Sequence, residues 1–214
     1  MLVEDGRIRL LDRHLLRLRR SGATGAQVSG VRALAETWRR TAREPTVVRF
    51  EVRPGGAVRS IPRAPAGAAP QRLATVAGYD PDDADRERKR ADRTWALAAE
   101  AAAVAAGADA PLLVAPDGRA GETSRANLFV VAADGSLRTP PAQGLLPGVT
   151  RGWVLDVEPG AAEAPVTRED LAGARAAFLT TAGRGIVPVA AIDGRPLGDD
   201  PRIAALAARW RALR

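Results

Sequence analysis

The sequence of 214 residues has no cysteine, one histidine (His14), one lysine (Lys89), one methionine and one tyrosine, and aromatic residues make up only 4% of it. Without cysteine there can be no disulfide, zinc ribbon, iron–sulfur cluster or thiolate nucleophile. A single imidazole leaves no histidine cluster to hold a metal. No apolar run approaches the roughly 20 residues of a membrane span, and residues 1–6 turn polar too early for a signal peptide. A cytoplasmic location is therefore expected. The net charge of +7 would suit a nucleic-acid partner, but the basic runs carry no interleaved stacking residues, so no such partner is expected.

What is abundant is arginine. Lys89 is the one lysine among 32 basic residues, so the other 31 are arginine. Arginine stays protonated in proteins, whereas lysine can lose its proton and act as a nucleophile or base. A chain that meets its charge needs with arginine can reserve its lysine for chemistry. The bland reading is compositional drift, because alanine, glycine and proline are abundant too.

Hydrophobic residues make up 46% of the chain, enough to bury a core in one large domain or two small ones. Residues 7–10 alternate like a strand, Asp12 is placed to cap a helix running to Arg20, and residues 27–42 read as a second helix. Residues 47–52 and 57–61 around Pro54-Gly55-Gly56 read as a hairpin. Residues 62–85, rich in Pro, Ala, Gly and Asp, lack a period and read as a connection. The Ala-rich stretch 86–106 predicts a helix. Strands are predicted at 111–114, 127–132, 176–181 and 185–192, a short helix from about Val149, a capping box at Thr167 and Asp170, and a closing helix over 200–213. The expected architecture is α/β: a small α+β domain over 1–78, with the linker from about residue 62, and a larger α/β domain over 79–214.

Three segments carry potential chemistry. Gly144-Leu145-Leu146-Pro147-Gly148-Val149-Thr150-Arg151 puts glycine before a helix start, where free N–H groups and the helix dipole favour an anion; ordinary capping is the commoner case. Thr180-Thr181-Ala182-Gly183-Arg184-Gly185 is a small-residue loop suited to close approach by a ligand, or simply a tight connection. Glu122 stands among small residues before an apolar strand, as a buried acid or an exposed edge residue. His14 is expected to cap or pack.

Taken in order, Lys89, residues 118–129, 144–151 and 180–189 resemble the class IV aminotransferase family, pyridoxal 5′-phosphate enzymes of fold type IV with a D-amino acid aminotransferase-like architecture. The opening stretch Asp5-Gly6 through His14, Arg17 and Leu18 is most similar to the 4-amino-4-deoxychorismate lyase branch. Asn127-Leu128-Phe129, Thr139-Pro140-Pro141 and Pro188-Val189 before Ile192-Asp193-Gly194 fit as well. The resemblance implies that Lys89 forms the Schiff base with the cofactor and shuttles the proton. It implies that Glu122 faces the pyridine nitrogen, and that Arg17, the N–H groups of Val149 and Thr150, and the Thr181 hydroxyl hold the phosphate.

The resemblance further implies an amine or amino-acid substrate and a homodimer. The expected reaction is elimination of pyruvate to give 4-aminobenzoate; the alternatives are transamination or a non-catalytic member. Relatives carry a pocket-lining strand ahead of the Asp5-Gly6 position, which in the lyase branch supplies a catalytic threonine. Either an upstream start or a reduced pocket is therefore expected. Thr94 stands where the branched-chain enzymes carry a tyrosine, and Val52-Arg53-Pro54-Gly55-Gly56 stands where many relatives have a Thr-Arg-Gly type turn.

Overall fold

The computed structural model describes residues 1–53 and 55–213. Pro54 of the expected hairpin turn lies outside the described residues. The first part of the chain forms β1 (Leu2–Glu4), β2 (Arg7–Ile8), α1 (Leu11–Arg20), α2 (Gly25–Thr41), β3 (Thr46–Val52) and β4 (Val58–Arg63). The strands make an antiparallel sheet in the order β2-β1-β3-β4. Val3, Ile8, Ala35 and Val48 form its core against the helices.

Helix α1 starts one residue before the expected Asp12 cap. Its N-cap is Leu10, in left-handed conformation at φ 54°, with no side-chain cap. Asp12 sits in the first turn, where a carboxylate favours the positive end of the dipole, and accepts from Arg32 at 2.6 Å. Helix α2 begins earlier than expected because Thr24 and Gln27 form a reciprocal capping box.

The rest of the chain forms β5 (Gln71–Ala77), a 3₁₀ turn (Thr94–Ala96), α3 (Leu97–Ala105), β6 (Ala110–Val114), β7 (Ala120–Thr123), β8 (Asn127–Val131) and β9 (Leu137–Thr139). It continues through α4 (Val149–Val157), β10 (Ala161–Glu163), α5 (Arg168–Ala172), β11 (Ala176–Thr181), β12 (Gly185–Ile192), β13 (Arg195–Pro196) and α6 (Pro201–Ala212). The strands form one mixed sheet in the order β10-β9-β8-β11-β12-β5-β6-β7, with β13 beside β12. Apolar clusters cover this sheet, one of them around the stacked rings of Phe129 and Phe178 and the edge-on pair Trp153 and Trp210. No helix among the described residues is long and apolar enough to cross a membrane.

Two expectations need correction. The stretch 62–85 contains β5, which lies between β12 and β6 and pairs parallel with both. Leu73 and Ala74 are buried there. A short interior strand of Ala, Thr and Val has no alternation to reveal it. The expected helix over 86–106 exists only as α3 and the turn before it. Upstream, Asp83 and Asp85 capture local donors, Asp85 N–H and the Arg86 and Arg90 guanidiniums among them, so side chains compete with the helix ladder. Lys89 thus sits on an irregular segment whose N–H donates to Ser21 Oγ at 3.0 Å.

Candidate active site

The irregular segment is held against the loop before α4. Tyr79 donates its hydroxyl to the Gln143 carbonyl at 2.9 Å, and Gly144 N–H donates to Glu87 at 3.2 Å. Gly144 has φ 64°, and a Cβ there would lie 2.3 Å from the Asp80 carbonyl oxygen. Only glycine permits that approach. Lys89 is thereby placed beside the N-terminus of α4.

A cavity of about 590 Å³ opens between the two sheets. Arg17 and His14 from α1, Val48 from β3, Lys89, Val149 and Thr150 from α4, and Thr180 and Thr181 from β11 line it. A second cavity of about 280 Å³ adjoins it, sharing Lys89, Arg93, Asn127 and Leu146, and is lined by Glu122. Five of the six expected site residues therefore meet in one cavity, and the sixth faces the same lysine from its neighbour.

The electrostatics of the three charged groups are linked. Lys89 is exposed as a residue and lines both cavities. Desolvation chiefly, then Arg17, pushes its amine down to about 8, while Glu122 works the other way. Burial pushes the Glu122 carboxyl up to about 7, against the Leu146 N–H and the Lys89 charge. Its oxygens accept from Asn127 Nδ2 at 2.8 Å and Leu146 N–H at 3.2 Å. Desolvation brings Arg17 down to about 10, and Glu122 offsets part of this.

Arg17 has no carboxylate within ion-pair distance among the described residues; its recorded neighbour is His14 Nδ1 at 3.5 Å. Burial first, then Arg17, holds His14 well below its ordinary range, so the ring is neutral. Helix α4 starts at Gly148, which offers no side-chain cap. The first N–H groups of the helix face the cavity with the positive end of its dipole. Thr150 Oγ1 and Thr180 Oγ1 are buried without a hydrogen-bond partner among the described residues. Thr181 Oγ1 accepts from Gly183 and Arg184 N–H groups at 3.3 and 3.0 Å, leaving its own proton free to donate.

An unneutralised guanidinium, an uncapped helix start and orphaned hydroxyls converge on one end of the cavity, which is the donor set a phosphate monoester requires. Lys89 lines the same cavity, and the buried acid Glu122 lines the adjoining one that Lys89 shares. Two residues that sequence reasoning did not assign belong here: Thr180, which lines the cavity beside Thr181, and Asn127. The latter bridges Glu122 and the Leu146 carbonyl at 2.8 and 2.9 Å. The only signal of that role was its place in the Glu122–Phe129 motif.

The Amino-transferase class IV family model matches residues 1–192. The chain belongs to the class IV aminotransferases. Members of this family use pyridoxal 5′-phosphate, and the donor set above fits that cofactor. A branched-chain-amino-acid aminotransferase of Pseudomonas aeruginosa is 33% identical over 100 residues, 45% of this chain and 32% of that protein. The chain spans about a third of the length of the curated relatives it matches. Among solved structures, the fold IV transaminase CpuTA1 from Curtobacterium pusillum superposes with a TM-score of 0.77 at 26% identity, covering 97% of this chain and 82% of that one. The branched-chain aminotransferase of Thermoproteus uzoniensis superposes at 0.82 with 25% identity, covering 98% and 82%. The mixed α/β architecture is thus that of the fold type IV pyridoxal-phosphate enzymes.

Proposed function

We propose that the chain is a pyridoxal-phosphate enzyme acting on a small amine or amino acid, built as two units with the site between their sheets. The membership of β5 in the nine-stranded sheet supports a division between Arg63 and Gln71. We include the homodimer usual in the family in this reading. The observation that carries the proposal is the position of the only lysine. Its amine, brought down to about 8, lines one cavity with the half-buried, unneutralised Arg17 and an adjoining one with Glu122, an acid brought up to about 7.

In this reading Arg17, the N–H groups of Val149 and Thr150, and the hydroxyls of Thr150 and Thr181 hold the phosphate. Glu122, oriented by Asn127 and Leu146, holds a proton at the pyridine nitrogen. When bound, the cofactor supplies an electron sink for negative charge developing at the carbon that bears the substrate's amine. Lys89 would hold the cofactor covalently and, once its amine is free, would take the proton from that carbon. With the amine near 8, about a tenth is free base at pH 7, far more than for an ordinary lysine.

We read the reaction first as that of a 4-amino-4-deoxychorismate lyase. Lys89 would remove the proton from the amine-bearing carbon, the carbon–oxygen bond at the neighbouring carbon would break, and the ring would become aromatic; the enolate that leaves would take a proton from the Lys89 ammonium or from water to become pyruvate. The opening from Asp5 to Leu18 and Thr94 in place of tyrosine support this choice. Transamination is the second reading, supported by the branched-chain relatives; there Lys89 carries the proton across the carbon–nitrogen bond.

Protein loaded with pyridoxal phosphate is expected to absorb visible light, and Lys89→Ala to lose that band. Acceptor-independent release of pyruvate from aminodeoxychorismate selects the lyase, and turnover that requires a keto acid selects the transaminase. A colourless wild type overturns both.

A further inference from the structure

Arg17 and Lys89 lie 72 positions apart in sequence and on either side of the cavity's two sheets, yet one residue is bonded to both. Ser21 closes α1 four residues after Arg17, and its N–H donates to the Arg17 and Leu18 carbonyls at 2.9 and 3.1 Å. Gly22 then turns the chain away at φ 102°, its N–H donating to the Arg19 carbonyl at 3.0 Å, and Ala23 N–H donates back to the Leu18 carbonyl at 3.2 Å. A helix end closed by these two bonds, with glycine in the left-handed region, fixes its cap residue firmly. The Ser21 hydroxyl oxygen, so held, accepts the Lys89 N–H at 3.0 Å.

Little else restrains the backbone of the lysine. Upstream, Glu87 accepts from Gly144 N–H at 3.2 Å; downstream, the Arg93 guanidinium donates to the Ser124 carbonyl at 2.5 Å. Between them, Arg88 and Arg90 turn back on Asp85 within the same segment. Among the described residues, the bond to Ser21 is the one hydrogen bond or ion pair that ties residues 88–92 to a distant part of the chain. An exposed, irregular segment has no ladder of bonds to share that task.

We propose that Ser21 is a positioning residue that sets Lys89 in register with Arg17, so that a cofactor held covalently through its aldehyde and ionically through its phosphate meets both anchors at once. A ligand with two points of attachment gains when the anchors are already in register, because making the second contact then costs little further ordering. A ligand that uses only one anchor has no such gain. The inference rests on the function proposed above, which gives Lys89 and Arg17 to two groups of one cofactor.

The test titrates the whole chain, freed of cofactor, with pyridoxal phosphate, pyridoxal and inorganic phosphate, the first two followed by the visible band and the third by calorimetry. Ser21→Ala keeps the backbone bonds of the helix end and removes the hydroxyl. It is expected to bind pyridoxal phosphate about fivefold more weakly while binding pyridoxal and inorganic phosphate as the wild type does. Ser21→Thr, which keeps the hydroxyl, should restore wild-type binding. A uniform loss across the three probes marks a merely structural role and overturns the inference, as does unchanged binding of pyridoxal phosphate or a loss that threonine fails to restore. A wild type that develops no visible band with pyridoxal phosphate overturns the proposed function itself, so the two failures are told apart before any variant is compared.

Discussion

Glu122 and Lys89 are displaced toward each other, the carboxyl up to about 7 and the amine down to about 8, so both change charge close to neutral pH. The displacement has a consequence for stability. A carboxyl whose folded pKa is raised binds protons better in the folded state, so its contribution falls as pH rises from about 4.5 to about 7 and stays low above that. Full ionisation of so buried a group costs on the order of 3 kcal/mol. Cofactor-free wild type is therefore expected to lose stability relative to Glu122→Gln between pH 5 and pH 8, read from thermal unfolding at both pH values. Any constant effect of the amide cancels in that comparison; parallel curves would contradict the assignment.

Asn127 is the second residue-scale test. Asn127→Leu strips Glu122 and the Leu146 carbonyl of a shared donor. Leaving them unsatisfied is expected to cost about 2 kcal/mol in denaturant unfolding. It should also move the pH at which the visible spectrum changes, which a purely structural loss would not do. Lys89 stands out in the sequence as the single lysine, whereas Glu122 and Arg17, one arginine among 31, are singled out only by the family resemblance. Thr180 and Asn127 are not, since their importance lies in an orphaned hydroxyl and a bridge between distant segments, neither of which has a sequence spacing.

Helices and strands show where local rules hold and where they fail. Thr24 with Gln27 and Thr167 with Asp170 form the capping boxes their spacing allows. The antiparallel pair β11 and β12 appears as apolar runs around a small-residue turn. By contrast, β5 is hidden by its Ala and Thr content, and residues 86–93 follow aspartate side chains and the opposing loop instead of alanine propensity. Those two departures are what seat Lys89.

The start of α4 is equally constrained. A Cβ on Gly148 would lie 1.9 Å from Asn127 Oδ1. Gly148→Ala is therefore expected to cost about 2 kcal/mol by forcing the helix start away from Asn127, and to weaken pyridoxal phosphate uptake measured by equilibrium titration. Unchanged uptake would argue that the phosphate is held elsewhere.

Across the whole molecule, the site depends on a large sheet kept rigid from its far face. Trp210 of α6 is buried against Trp153 and lies over Gly185, where a Cβ would meet its ring at 2.3 Å. Trp210→Ala should cost about 3–5 kcal/mol, seen as a lowered denaturation midpoint. The cavity brings together α1 and β3 of one sheet's unit with Lys89, α4 and β11 from the other. No single segment contains the site.

The scarcity of lysine turns this arrangement into a decisive experiment. Protein incubated with pyridoxal phosphate and reduced with borohydride should carry the cofactor on the peptide containing Lys89, located by mass spectrometry after cleavage, and Lys89→Arg should carry none there. A wild type that takes up no cofactor, or carries it at a different amine, would contradict the account.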